Sequence, residues 1–149
     1  SLAPRKLKEL AIDIRTLCQE YEATLFINED IALARTLDCP VHLKSMQLMQ
    51  SDIALQLAGH PFSAACHHMD DLKKAESLGA SYAVLGPVLK TNSHPGVDGI
   101  GWATFASMRN EVSLPIFALG GLGPSDISEA RKHGAQGVAG ISQFWPNMP

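Results

Sequence analysis

Three short apolar runs that each end in glycine constrain this chain more than any other feature. They are Tyr82-Ala83-Val84-Leu85-Gly86-Pro87, Pro115-Ile116-Phe117-Ala118-Leu119-Gly120-Gly121 and Gly137-Val138-Ala139-Gly140-Ile141-Ser142. Each is long enough for one buried strand. Such runs are typical of parallel sheets covered on both faces, where ligands collect at the C-terminal ends of the strands. A glycine at a strand end clears a side chain away, so that main-chain N–H groups can face an anion. The same glycines would also serve plain tight turns, and the sequence leaves both readings open.

Helical periodicity fills the intervals. Leu7, Leu10, Ala11, Ile14, Leu17, Cys18 and Tyr21 recur at helical spacing, which predicts an amphipathic helix over about 4–22 with Pro4 in its first turn. Thr24-Leu25-Phe26-Ile27 predicts a buried strand ending at Asn28-Glu29-Asp30, followed by a short helix through Ala32, Leu33, Ala34 and Leu37. Val41-His42-Leu43 is the next strand, residues 46–58 form one helix or two short ones, and Phe62 to Cys66 is a strand again. Asp70 is expected to cap the following helix and Gly79 to close it.

After the Tyr82 strand comes a polar loop over 90–99, then a helix through Trp102, Phe105, Ala106 and Met108. Gly123-Pro124-Ser125-Asp126 has the form of a helix start, with Gly at the cap, Pro at the first position and Asp able to reach back to the cap N–H. Gly134 ends that helix. Six strands, each beside a helix, imply a parallel sheet with right-handed crossovers. The expected fold is α/β, of the TIM (β/α)8-barrel type, with about six of eight βα units present in one domain over residues 1–149. The first strands are expected upstream of Ser1, and an exposed edge at Thr24 would favour homo-oligomers through the open barrel edge.

Charge and composition exclude several classes. The net charge is −3 and Lys and Arg do not cluster, so the footprint of a nucleic-acid binder is missing. No apolar run approaches the roughly 20 residues of a membrane helix. Cys18, Cys39 and Cys66 are odd in number and lack metal-type spacing, which reads as free thiols in a reducing cytoplasm.

Adjacent loops at Gly120-Gly121 and Ile141-Ser142 are candidates for a phosphate site built from main-chain donors. Thr91-Asn92-Ser93-His94 adds hydroxyls, an amide and an imidazole directly after a strand; a solvated turn closed by Pro95-Gly96 is the plainer alternative. Asn28-Glu29-Asp30 places carboxylates where Mg²⁺ could sit, and where they would equally cap a helix, the favoured reading. His67 and His68 are adjacent and diverge on a strand, so they read as structural. Cys66 reads as core, and Trp102, Phe105, Phe144 and Trp145 as packing or interface residues.

From Leu25 to about Phe144 these residues resemble the thiamine-phosphate synthase family, which includes thiazole tautomerase-like proteins. The landmarks are Phe26-Ile27-Asn28-Glu29-Asp30, Val41-His42-Leu43, Leu85-Gly86-Pro87-Val88, Thr91-x-Ser93, Ala118-Leu119-Gly120-Gly121 and Gly137-Val138-Ala139-Gly140-Ile141-Ser142. Ala64-Ala65-Cys66-His67 and Thr91-Asn92-Ser93-His94-Pro95-Gly96 look most like a subgroup fused behind a Nudix hydrolase domain. The resemblance implies a (β/α)₈ barrel that joins a hydroxymethylpyrimidine diphosphate to a thiazole phosphate, assisted by Mg²⁺. It implies that Thr91, Asn92, Ser93, Gly121, Ile141 and Ser142 hold the thiazole phosphate, that Asn28 and His94 approach the diphosphate, and that Glu29 is a metal ligand.

The same comparison marks departures on the diphosphate side. His94 stands where the synthases usually have Lys, Gln47 where an Asp ligand is usual, and Ala65 where a diphosphate-contacting Ser is expected. Pro87 stands where thiazole tautomerases place a His. Loss of catalysis with retained binding of a thiazole phosphate or thiamine phosphate would give this pattern. The implied alternative is therefore a non-catalytic binding module.

Overall fold

The computed structural model describes residues 3–91 and 98–144. The chain opens with α1 (Pro4–Glu20) and then alternates β1 (Ile27–Asn28), α2 (Ile31–Thr36), β2 (Val41–Leu43), α3 (Ser45–Leu48), α4 (Ile53–Leu57), β3 (Phe62–Cys66) and α5 (Met69–Ser77). It continues through β4 (Ala83–Leu85), α6 (Gly101–Asn110), β5 (Ile116–Leu119), α7 (Ile127–Lys132) and β6 (Gly137–Ala139). The six strands form one sheet in the order β1-β2-β3-β4-β5-β6, with every neighbouring pair parallel. Among the described residues the sheet is open, with β1 and β6 as its edges.

The pleat separates two faces. Val41, Leu43, Ala64, Cys66, Ala83, Leu85, Ile116 and Ala118 are completely buried and form the main core with Leu72 of α5, Phe105 of α6 and Ala130 of α7. The opposite face carries Asn28, His42 and Ser63 in register, and His42 Nδ1 lies 2.8 Å from Ser63 Oγ. Alternation thus gives one apolar face under the helices and a second face that is polar across β1 to β3 and apolar at Val84 and Phe117 of β4 and β5. Near that second face, Tyr82 meets Phe26 and Phe117 edge-on, with ring centroids 5.1 and 5.3 Å apart.

Punctuation follows the sequence closely at two helix ends. Gly79 and Gly134 take φ of 76° and 85° and close α5 and α7, a left-handed conformation that costs glycine little. Asp126 Oδ2 accepts the Gly123 N–H at 2.8 Å, ahead of α7.

Two expectations need correction. The first strand is confined to Ile27 and Asn28 rather than running from Thr24, these being the residues in register with Val41 and His42 of β2. The cap of α5 is not Asp70: His68 is the cap residue, and Asp71 reaches back so that its Oδ2 accepts the N–H groups of His67 at 2.7 Å and His68 at 3.0 Å. The helix predicted over about 4–22 forms as α1; of its apolar stripe Ala11 is buried, while Leu7, Leu10, Ile14, Leu17 and Tyr21 stay exposed. The segment 46–58 resolves into the two short helices α3 and α4.

Candidate functional site

The C-terminal ends of β3 to β6 surround a cleft of about 630 Å³, within the usual size of small-ligand sites. Thr91, Gly120, Gly121, Gly140, Ile141 and Ser142 line it, with His67, Pro87, Lys90 and Gln143 completing the wall. Local sequence explains why three strand ends converge. A Cβ at Gly120 would sit 2.6 Å from Pro87 Cα, one at Gly121 2.8 Å from Lys90 O, and one at Gly140 2.8 Å from Leu122 O. Side chains at these points would push the β4, β5 and β6 loops apart.

Two bonds zip the β4 and β5 turns together: Val88 N–H donates to Leu119 O at 2.7 Å, and Leu89 N–H to Gly120 O at 3.1 Å. Gly121 then turns at φ 67° and is exposed, as are Ile141 and Ser142. Among the described residues the main-chain N–H groups of Gly121, Ile141 and Ser142 have no hydrogen-bond acceptor. Free amides at a glycine turn and a strand end are the donors an anion uses when no cation is required. Lys90, ion-paired at 3.8 Å with Asp98, adds a nearby positive charge that the two glycine loops themselves lack.

A polar chain runs from the cleft wall to the ends of β2 and β1. His67 Nδ1 lies 2.6 Å from Gly86 O. The Asp71 carboxylate that holds the His67 N–H is buried and accepts Ser45 Oγ at 2.9 Å on its other oxygen. Beside Ser45, Lys44 forms an ion pair with Glu29. Glu29 also accepts Asn28 Nδ2 at 3.1 Å, and Gln47 Nε2 donates to the Glu29 carbonyl at 2.9 Å. Burial, with the Asp71 charge as a second cause, pushes the Cys66 thiol up to about 12, so Cys66 is a core thiol and not a nucleophile.

The residues at β1 and β2 do not suit Mg²⁺. That ion prefers one or two carboxylates beside water and phosphate oxygens. Here Glu29 already carries the Lys44 ammonium, Asp30 is turned to the Leu33 N–H as the cap of α2, and position 47 offers an amide. The Gln47 Oε1 is buried without a partner among the described residues. No group of three or more His, Cys, Asp or Glu side chains among the described residues could hold a metal.

The structure brings together Thr91, Gly121, Ile141 and Ser142 of the sequence-predicted set. Asn28 and Glu29 stand apart, at the end of β1 on the far edge of the sheet. Asp30 caps α2, with its Oδ1 accepting the Leu33 N–H at 2.9 Å. Asn92, Ser93, His94, Pro95, Gly96 and Trp145 lie outside the described residues. His67, read from the sequence as structural, ties to the Gly86 carbonyl and also lines the cleft, while sequence reasoning missed the roles of Lys44 and Lys90. The available signal was position, since each follows or lies just beyond a strand end.

Among the described residues no helix is long and apolar enough to cross a membrane. A family model described as thiamine monophosphate synthase (TMP-TENI) matches residues 1–144. A protein of Aquifex aeolicus is 38% identical over 145 residues, covering 96% of this chain and 77% of the relative. The thiamine-phosphate synthase of Methanococcus maripaludis is 30% identical over 139 residues, covering 93% and 67%. Among solved structures, a thiamine phosphate pyrophosphorylase from Pyrococcus furiosus superposes with a TM-score of 0.80 at 25% identity, covering 95% of this chain and 69% of that one.

Proposed function

This chain belongs to the thiamine monophosphate synthase family, and from that premise we propose that its cleft grips the phosphate of a phosphorylated thiazole for joining to a hydroxymethylpyrimidine diphosphate. The observation that supports this most is that Gly121, Ile141 and Ser142, whose main-chain N–H groups have no acceptor among the described residues, line one cleft of about 630 Å³. Thr91 lines the same cleft, and Asn92 and Ser93 follow it in sequence. In this reading these residues hold the monophosphate, while Asn28 and His94 approach the diphosphate.

The chemistry asked of the site is a substitution. The thiazole ring nitrogen forms a bond to the pyrimidine methylene carbon, and the carbon–oxygen bond to diphosphate breaks, its electron pair leaving with the diphosphate. The chain's own part is to anchor the thiazole by its phosphate and thereby fix the ring nitrogen relative to the reacting carbon. Incubating the full-length protein with both substrates and Mg²⁺ should form thiamine phosphate; no product above background rejects the synthase reading.

A second reading has its own observation. The Lys44–Glu29 pair and the Gln47 amide occupy the ground where a metal-dependent diphosphate site would stand. This favours a module that binds a thiazole phosphate or thiamine phosphate without turnover, joined to a Nudix hydrolase. Gln47→Asp with His94→Lys separates the two, because turnover gained by the pair points to a lapsed synthase. The coding sequence upstream of Ser1 tests the Nudix fusion directly.

A further inference from the structure

A diphosphate met by Asn28 at the end of β1, as the proposed function has it, carries more charge than main-chain amides neutralise, and where a divalent ion would meet it the chain presents an ammonium. Lys44 follows β2 directly on extended backbone, with φ −72° and ψ 154°. Its Nζ is ion-paired with Glu29, yet the Lys44 side chain remains 64% exposed and that of Glu29 43%. Exposed pairs of this kind hold weakly, so the ammonium is free to share itself with a stronger anion. An ammonium has three donors and no acceptor. It can keep one bond to Glu29 and direct another at an incoming oxygen.

Glu29 is well fixed for that task. It sits at φ 65°, accepts Asn28 Nδ2, and its carbonyl takes the Gln47 amide N–H. A dication would have to displace Lys44 and would then find a neutral amide as the next donor. Ser45, the neighbour of Lys44, is hydrogen-bonded to Asp71, which holds the His67 main chain on the cleft wall. The ammonium therefore stands within a short bonded path of the anion cleft.

We propose that Lys44 supplies the positive charge for a diphosphate ligand, its Nζ bridging the Glu29 carboxylate and a diphosphate oxygen with no divalent ion required. This rests on the ligand class of the preceding section. Because a divalent ion would neutralise the ligand before Lys44 could, added Mg²⁺ is expected to leave affinity unchanged or lower it.

The test is calorimetric titration of the protein with inorganic pyrophosphate, first in EDTA and then in excess Mg²⁺, for wild type, Lys44→Met and Lys44→Arg. Wild type and Lys44→Arg are expected to bind in EDTA, with Lys44→Met weaker by about tenfold or more. Binding that appears only with Mg²⁺, an unaltered affinity in Lys44→Met, or no binding in either buffer overturns the proposal. The response of the Gly121 amide to inorganic phosphate runs alongside and should be the same in wild type and Lys44→Met, which also shows that the variant is folded. If that response is present while pyrophosphate fails, only the role of Lys44 falls. If it too is absent, the preceding functional reading falls with it.

Discussion

The imidazole Nδ1 of His67 lies 2.6 Å from the carbonyl oxygen of Gly86, so a histidine ring ties the end of β3 to the end of β4. A carbonyl oxygen only accepts, so Nδ1 carries the proton and Nε2 is the unprotonated nitrogen of the neutral ring. Nitrogen-15 spectra of the neutral form should show the Nδ1–H tautomer for His67; the Nε2–H tautomer would contradict this geometry. His67→Ala should cost about 1 kcal/mol in denaturant unfolding through loss of the tie.

Gly121 and Gly59 make a matched pair of substitutions. Both have left-handed φ, 67° and 78°, but a Cβ at Gly121 meets Lys90 O at 2.8 Å while one at Gly59 meets nothing within 4 Å. Alanine at either position should cost about 1 kcal/mol for the backbone alone. Gly121→Ala should cost more and should also abolish the response of the Ser142 amide to phosphate. Gly59→Ala should leave that response intact, and equal effects of the two on binding would remove Gly121 from the site.

The strand cores and two of the glycine stops were legible because they depend on local pattern. Val41–Leu43 and Phe62–Cys66 fall where the apolar runs predicted, and the Asp126–Gly123 bond is the one its spacing suggested. What could not be read was set by partners distant in sequence. β1 covers Ile27 and Asn28, where it pairs with β2, and the apolar stripe of α1 gave no sign that most of it would stay exposed. At the site, glycine loops announced Gly121 and Ser142, but the Lys44–Glu29 pair joins two strand ends and has no local signature. The same holds for His67, whose meaning comes from a carbonyl 19 residues away.

Asp71 is buried, and its two oxygens take Ser45 Oγ and the His67 and His68 N–H groups. Asp71→Ala leaves those donors without their acceptor, which should lower stability by about 2–4 kcal/mol. Asp71→Asn retains one acceptor oxygen and should cost less. Chemical denaturation ranks the two, and equal stability of Asp71→Ala and wild type would contradict the hub.

His42 faces Ser63 across β2 and β3, and burial lowers its pKa below the ordinary 6.5. The unfolded chain therefore takes up this proton at a higher pH than the folded one. The stability linked to His42 is complete above pH 6.5 and declines as pH falls through the window below it, until the folded pKa is passed. Unfolding free energies measured between about pH 7.5 and about pH 5.5 should fall less steeply in His42→Gln than in wild type. Parallel slopes would place the titration elsewhere.

If main-chain amides at the ends of β5 and β6 close on one phosphate, two-dimensional ¹H–¹⁵N spectra during titration with thiazole phosphate will report it. Saturating shifts are expected at Gly121, Ile141 and Ser142, with Gly59 and Gly79 unmoved. Unchanged spectra at millimolar ligand, or shifts spread evenly over the sheet, would contradict it.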